Sequence, residues 1–236
     1  MDVIGGGYNG SVRGTTNVTI GGETFLRRVF GGGFYAPVGA TNVNIKSIDC
    51  NDIFGGGLMG DVGFTDATNY STYLKDNPDN RGKVTINIGT DKDGSGNYNT
   101  GKSIYVHCDV YGGNDVSGDI LNKSVLNISA GHVFGNVYGA GNGDYLYAVG
   151  RNKEKKVTVN EYYKMGKNTY DLVYTVPLRS FMPGISASTA AQRMVNCASY
   201  RPKVQNVEIN LNGNDSAMPL DLCGVYGGGN SATVRL

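Results

Sequence analysis

One short phrase, a branched or aromatic pair followed by three glycines, recurs through the chain and limits what it can fold into. It reads Val29-Phe30-Gly31-Gly32-Gly33 and returns as Val3-Ile4-Gly5-Gly6-Gly7, Ile53-Phe54-Gly55-Gly56-Gly57 and Val225-Tyr226-Gly227-Gly228-Gly229. Looser copies are Val110-Tyr111-Gly112-Gly113-Asn114 and Val137-Tyr138-Gly139-Ala140-Gly141. The first glycines stand at 5, 31, 55, 112, 139 and 227, giving steps of 26, 24, 57, 27 and 88 residues. The two long steps are about two and about three units, so some units carry insertions or have lost the phrase.

Other positions keep the same register. Seven residues after the first glycine stand Val12, Val38, Val62, Leu146 and Val234, with Ile120 slipped by one. A branched pair follows at Val18/Ile20 and Val43/Ile45, and Val125 precedes Leu126/Ile128. Each unit thus offers three short apolar segments and no room for a regular helix. That pattern predicts an all-β fold: a right-handed parallel β-helix (β-solenoid) with three short strands per coil of about 24–28 residues, interrupted by loop insertions. Handedness rests on the general right-handedness of parallel crossovers and on the family resemblance given below. In such a stack Val18 and Ile20 point inward and Asn17 and Thr19 outward, so valine lies over valine and asparagine over asparagine. The glycines turn the corner, some at positive φ, and let neighbouring coils approach closely.

Composition narrows the class. Glycine, at 37 of 236 residues, has no Gly-X-Y period and is accompanied by only six prolines, which excludes collagen. With 39% hydrophobic and 17% charged residues the chain is not intrinsically disordered. A net charge of +1 gives no bulk attraction to nucleic acid or to an anionic membrane, and no apolar run is long enough to span a bilayer. Neither end shows the polar cap that a solenoid needs, so the reading is of a single β-solenoid, residues 1–236, excerpted from a longer one. Open ends of that kind also invite end-to-end self-association.

Three stretches leave the register: residues 64–83, 89–102 and 145–203. The first reads as a polar surface loop. In the second, Asp91, Asp93, Ser95 and Asn97 alternate like calcium ligands, but no glutamate closes the loop and no helices flank it. None of the six glycine phrases runs directly into Gly-Lys-Ser/Thr and no helix pattern follows them, so these corners do not read as phosphate loops. No cofactor and no metal site is expected. His107 and His132 have no ligand at metal spacing and read as structural or surface residues. Cys50, Cys108, Cys197 and Cys223 show no Cys-x-x-Cys and read as buried thiols, with Cys108 sharing an inward face with Ile104, Val106 and Val110.

The third stretch is the most distinctive. It carries ten Lys/Arg against three acids and seven of the sixteen tyrosines. Residues 157–159 and 172–176 read as strands and 186–195 as a short capped helix. Excursions from a solenoid are usual binding elements, so Tyr145, Tyr147, Arg151, Lys155, Lys156, Tyr162 and Tyr163 are candidate ligand residues. The competing reading is a solubilising loop.

With these residues assembled, the chain resembles large repetitive cell-surface proteins of gut Bacteroidetes, built from Val-Tyr-Gly-Gly-Gly-Asn coils. The carriers are the six glycine phrases, Gly141-Asn142-Gly143-Asp144-Tyr145, and Arg201-Pro202-Lys203-Val204 leading to Val225-Tyr226-Gly227-Gly228-Gly229-Asn230. The resemblance implies an exported, extracellular, surface-anchored protein and supplies no catalytic residues. The expected function is therefore a structural or adhesive scaffold that displays binding loops to surface glycans or proteins, without catalysis. The alternative is a β-helix that binds or cleaves polysaccharide. Cleavage needs partnered carboxylates along one groove, and Asp61, Asp109, Asp115, Asp119 and Asp144, near the corners, show no recurring partner.

Overall fold

The computed structural model describes residues 1–22, 25–89, 103–144, 146–149, 155–165, 168–177, 201–213 and 218–234. The chain is all-β, and two parallel sheets carry most of it. Sheet one contains β1 (Asp2–Ile4), β3 (Phe25–Phe30), β5 (Ile48–Phe54), β7 (Ile104–Val106), β8 (Val110–Tyr111), β10 (Gly131–Tyr138) and β15 (Leu220–Tyr226). Sheet two contains β2 (Val12–Ile20), β4 (Val38–Ile45), β6 (Val84–Ile88), β9 (Asp119–Ile128), β14 (Lys203–Leu211) and β16 (Thr233–Val234). Along the chain, strands of the two sheets alternate, and each pairs in parallel with its counterpart from the neighbouring repeat.

The registers are those of the repeated phrase. Val3 lies beside Val29, Val29 beside Ile53, Ile53 beside Val110, Val110 beside Val137, and Val137 beside Val225. In sheet two Val18, Val43, Ile86, Leu126 and Ile209 form the matching row. The two rows meet in one apolar core, in which Val29, Val43, Ile53, Ile86, Val110 and Leu126 are fully buried. The apolar position after each corner, as at Val12, Val38 and Val204, joins the same sheet through a register shift, and at Val62 it stands as a single bridge. The second and third apolar segments of a unit therefore share sheet two.

The glycine phrases work by close approach, not by left-handed backbone. Among the described residues positive φ falls at Gly22, Gly63, Gly82, Gly118, Gly131 and Ser231, outside the phrases. At Gly31 an added Cβ would stand 2.3 Å from the Gly55 carbonyl oxygen and 2.7 Å from Val43 Cγ2. Buried hydroxyls then tie the corner to sheet two: Thr16 Oγ1 donates to the Gly31 carbonyl at 2.6 Å, and Thr41 Oγ1 to Gly55 at 2.7 Å. Thr41→Val keeps the shape and removes that donor from a buried carbonyl. It should lower unfolding free energy by about 1–3 kcal/mol in chemical denaturation, and an unchanged midpoint would show the bond to be dispensable.

The insertion at 64–83 is more ordered than a polar loop. It folds as two 3-10 turns, Ala67–Asn69 and Pro78–Asn80, around the one-turn helix α1 (Thr72–Asp76), capped by the Ser71 hydroxyl on the Leu74 N–H. Leu74 and Tyr70 bury against Ala40 of β4. The insertion at 145–203 contributes a third, antiparallel sheet of β11 (Leu146–Val149), β12 (Lys155–Met165) and β13 (Asn168–Pro177). The expected helix at 186–195 and the aspartate-rich turn at 91–97 lie outside the described residues.

The thiols need a correction. Cys50 is buried, but Cys108 is half-buried and Cys223 exposed, and none of the three forms a disulfide. Inward residues before each corner follow spacings of three as well as four: Leu26 to Val29, Cys50 to Ile53, Leu222 to Val225, against Val106 to Val110. A bulge there breaks strict alternation, so the residue two before the valine is not an inward position.

Candidate functional site

Sheet two turns a polar face outward. Asn44, Asn87, Asn127 and Asn210 occupy one row, between the inward pairs of successive strands. Their amides bond in series: Asn87 Nδ2 donates to Asn44 Oδ1 at 2.8 Å, Asn127 to Asn87 at 2.8 Å, and Asn210 to Asn127 at 2.9 Å. A primary amide has two N–H donors and two acceptor lone pairs, so the series uses about half of what Asn127 offers. The row lines a groove of about 410 Å³, with Lys46, Ser129 and Asn212 along its edge.

A second groove, about 600 Å³, adjoins it on the same face. Its floor is Thr15, Asn17, Asn42 and Thr85, and its wall is the 64–83 insertion, through Ser71, Tyr73, Asn80 and Lys83. The wall is pinned. Arg13 donates from Nε to the Asn69 carbonyl and from Nη2 to Thr68, while Arg81 donates to the Leu74 and Lys75 carbonyls. Tyr73 stands 62% exposed at its lip. Asn42 and Asn87, one from each groove, are 3.5 Å apart, so the two grooves are neighbours on this face. No carboxylate is among the described residues lining either groove.

The carboxylates lie elsewhere, mostly beside sheet one. Asp52 Oδ1 accepts the Asp109 N–H at 3.1 Å, and Asp109 Oδ1 accepts the Asn136 N–H at 2.6 Å. Asp61 accepts the Asp119 N–H at 2.7 Å. Asp115 is fully buried and lies 3.3 Å from the guanidinium of Arg28, itself buried between Asp115 and Asp2. Asp144 is exposed. Asp52, Asp61 and Asp109 bridge one repeat to the next. Burial, then the neighbouring Asp115 and Asp109 charges, push Asp52 up to about 7, against the pull of the Asp109 N–H and Arg28. Burial also drives the Tyr111 phenol far above its usual range, helped by Asp109, to which its hydroxyl donates at 2.9 Å. Beside this row runs a ladder of near-parallel rings, Phe30, Phe54, Tyr111, Tyr138 and Tyr226, with centroids about 5 Å apart.

No known protein helps to read this face. No family model matches the chain, and neither a curated protein nor a solved structure does.

The candidates on the 145–203 excursion are placed by strand register. Tyr147 lies opposite Val157 and Tyr163 opposite Tyr170. Lys155 lies opposite Val149, Lys156 opposite Ala148 and Tyr162 opposite Asp171. Tyr145 and Arg151 lie outside the described residues. The two histidines, 25 residues apart, meet on the outer face of sheet one. Tyr105 stacks on His132 at 5.4 Å, His107 on Phe134 at 5.6 Å, and Asp49 and Asp221 pair with His107 and His132. Among the described residues no group of three His, Cys, Asp or Glu is placed to hold a metal ion, and no helix is long and apolar enough to cross a membrane.

Sequence reasoning missed Tyr73, Lys46 and Lys83 as groove residues. The asparagine row did have a signal: Asn44, Asn87, Asn127 and Asn210 each stand between two inward aliphatic residues.

Proposed function

We propose that this chain is a non-catalytic adhesive scaffold of a cell surface, a right-handed parallel β-helix whose sheet-two face binds extended polysaccharide. The alternation of strands between two parallel sheets, with registers repeated from unit to unit, supports the β-helix. The resemblance to surface proteins built from Val-Tyr-Gly-Gly-Gly-Asn coils supports export and display. The observation that carries the binding reading is the pair of neighbouring grooves on sheet two, walled by amides, hydroxyls and one exposed tyrosine. Amides and hydroxyls satisfy sugar hydroxyls as donors and acceptors, and an aromatic lip covers the apolar face of a sugar ring.

Cleavage is the weaker reading. A glycosidase sets two carboxyl groups across the bond to be cut. Here the described groove linings have none, and Asp52, Asp61 and Asp109 hold backbone N–H groups between repeats. The outer edge of β14, where Leu211 is 47% exposed, supports end-to-end self-association of copies.

A glycan array tests this with three proteins: the chain, a version with residues 145–203 replaced by a short Gly/Ser loop, and Tyr73→Ala. Binding should survive the loop replacement and fall by about tenfold in Tyr73→Ala, the cost of one lost aromatic contact. Binding that vanishes with the loop would move the site to the excursion. Silence from all three, with each folded, would overturn the adhesive reading.

A further inference from the structure

The asparagine row of sheet two specifies its ligand more narrowly than "polysaccharide". We propose that this row takes a linear β-1,4-linked pyranose chain lying along the stack of repeats, one sugar per strand. This rests on the polysaccharide reading above and adds linkage and direction.

The row has the properties of a ruler. Asn44, Asn87, Asn127 and Asn210 stand on β4, β6, β9 and β14 in unbroken parallel register, so an amide recurs at each strand spacing of about 4.8 Å. The next outward row changes its chemistry: Asn17, Asn42 and Thr85 give way to Val125 and then Glu208. A chain laid across the strands therefore meets four like rungs, whereas one laid along a strand meets a single amide of the row. Each rung keeps something to offer after bonding its neighbours. Asn127 donates to Asn87 and accepts from Asn210, leaving one N–H and one lone pair. Asn87 donates to Asn44 and keeps a lone pair, and Asn44 bonds through its oxygen and keeps its N–H groups. Asn210 spends its N–H groups on Asn127 and on the Glu208 carboxylate and keeps its amide oxygen.

Linkage follows from the spacing. A β-1,4-linked pyranose chain is extended, because both bridging bonds leave the ring equatorially, and it advances by nearly one strand spacing per sugar. The α-1,4 and β-1,3 linkages coil the chain and carry its sugars off the line of the row. Successive β-1,4 sugars are turned over, so alternate rungs meet opposite ring edges. A primary amide, donor and acceptor at once, serves both. The rungs are also set before the ligand arrives: amide–amide bonds of 2.8, 2.8 and 2.9 Å hold them, which reduces the ordering cost of binding. The match is one of length and hydrogen bonding, not of charge.

The test is a length series of cellodextrins, from two to six sugars, titrated against the full chain beside maltodextrins and β-1,3-glucan oligomers of the same lengths. Affinity for cellodextrins should rise about threefold with each sugar up to four, one net hydrogen bond per rung, and then level off. The coiled isomers should gain little beyond the disaccharide. Asn44→Ala removes the end rung and leaves the other two bonds of the series, so levelling-off should move from four sugars to three. Asn127→Ala interrupts the row: the tetramer should lose about tenfold, while the disaccharide, which still finds Asn44 and Asn87, is little changed. A merely structural role for these asparagines would weaken all lengths alike, and an unchanged thermal melt would confirm that the variants fold. If Asn127→Ala melts early, the wild-type series and Asn44→Ala decide. No gain beyond two sugars, equal affinity for the three linkages, or a plateau that stays at four in Asn44→Ala overturns the ruler and leaves the adhesive reading standing. Failure to bind any oligomer or any array glycan overturns both.

Discussion

Gly31→Ala should be among the most damaging single-methyl changes this chain can carry. The new Cβ would lie 2.3 Å from the Gly55 carbonyl oxygen and 3.1 Å from Thr41 Cβ, with Val43 Cγ2 at 2.7 Å. Val43 can shift slightly, but the carbonyl belongs to the next corner and is already held by the Thr41 hydroxyl at 2.7 Å. Relief therefore requires two repeats to separate, which would strain the Gly31 N–H bond to the Phe54 carbonyl at 3.0 Å. Overpacking in a core costs about 1–3 kcal/mol and more where backbone must move, so a loss of at least about 3 kcal/mol is expected. For a chain of this length that lowers Tm by roughly 6–12 °C. Gly10→Ala is the control, because no described atom lies within 4 Å of its added Cβ. It should change stability by less than about 1 kcal/mol, or raise it slightly by restricting the unfolded chain. Equal melting of the two variants would show that the corner does not depend on close approach.

The same corner explains what could be read from the sequence. Parallel strands one repeat apart put like over like, so the phrase spacing alone placed Val29 beside Ile53 and Val43 above Val18, and foretold stacked asparagines. Those statements need only a period and the two-residue alternation of a strand. What failed needed a local break in that alternation, or contacts across repeats. Cys108 looked inward because Ile104, Val106 and Val110 have its parity, but the segment 107–109 bulges. Residues 64–83 looked like a loop because a five-residue helix is too short to show a helical period. The groove wall was illegible for the same reason. Tyr73 lies far in sequence from Asn17, and the packing of Leu74 on Ala40 together with the Arg13 bonds to Thr68 and Asn69 brings their segments together. Asp115 is likewise 87 residues from its partner Arg28.

That buried charge cluster leads to a pH effect opposite in sign to ordinary acid denaturation. Asp52 has an unfolded value near 3.8 and a folded one raised to about 7, first by burial and then by Asp115 and Asp109. Between those values the folded state binds the extra proton, so stability falls as pH rises. The Asp52 contribution is most favourable below about pH 4 and is fully lost once pH has passed through about 7. A shift of this size corresponds to about 4 kcal/mol as an upper figure, shared with the coupled carboxylates around it. Asp2 runs the other way: although burial works to raise it, Arg27 and Arg28 hold its carboxyl below the usual range, so its support is lost only as pH falls through that lowered value. Urea unfolding from about pH 5 to about pH 8 therefore isolates the Asp52 effect. The wild-type chain should lose stability steadily across that range. Asp52→Asn keeps an acceptor for the Asp109 N–H and removes the charge, so it should flatten the slope and be the more stable protein at the alkaline end. A slope unchanged by Asp52→Asn would mean that another group carries the titration, and that the row Asp2, Arg28, Asp52, Asp109 is balanced at neutral pH instead of strained.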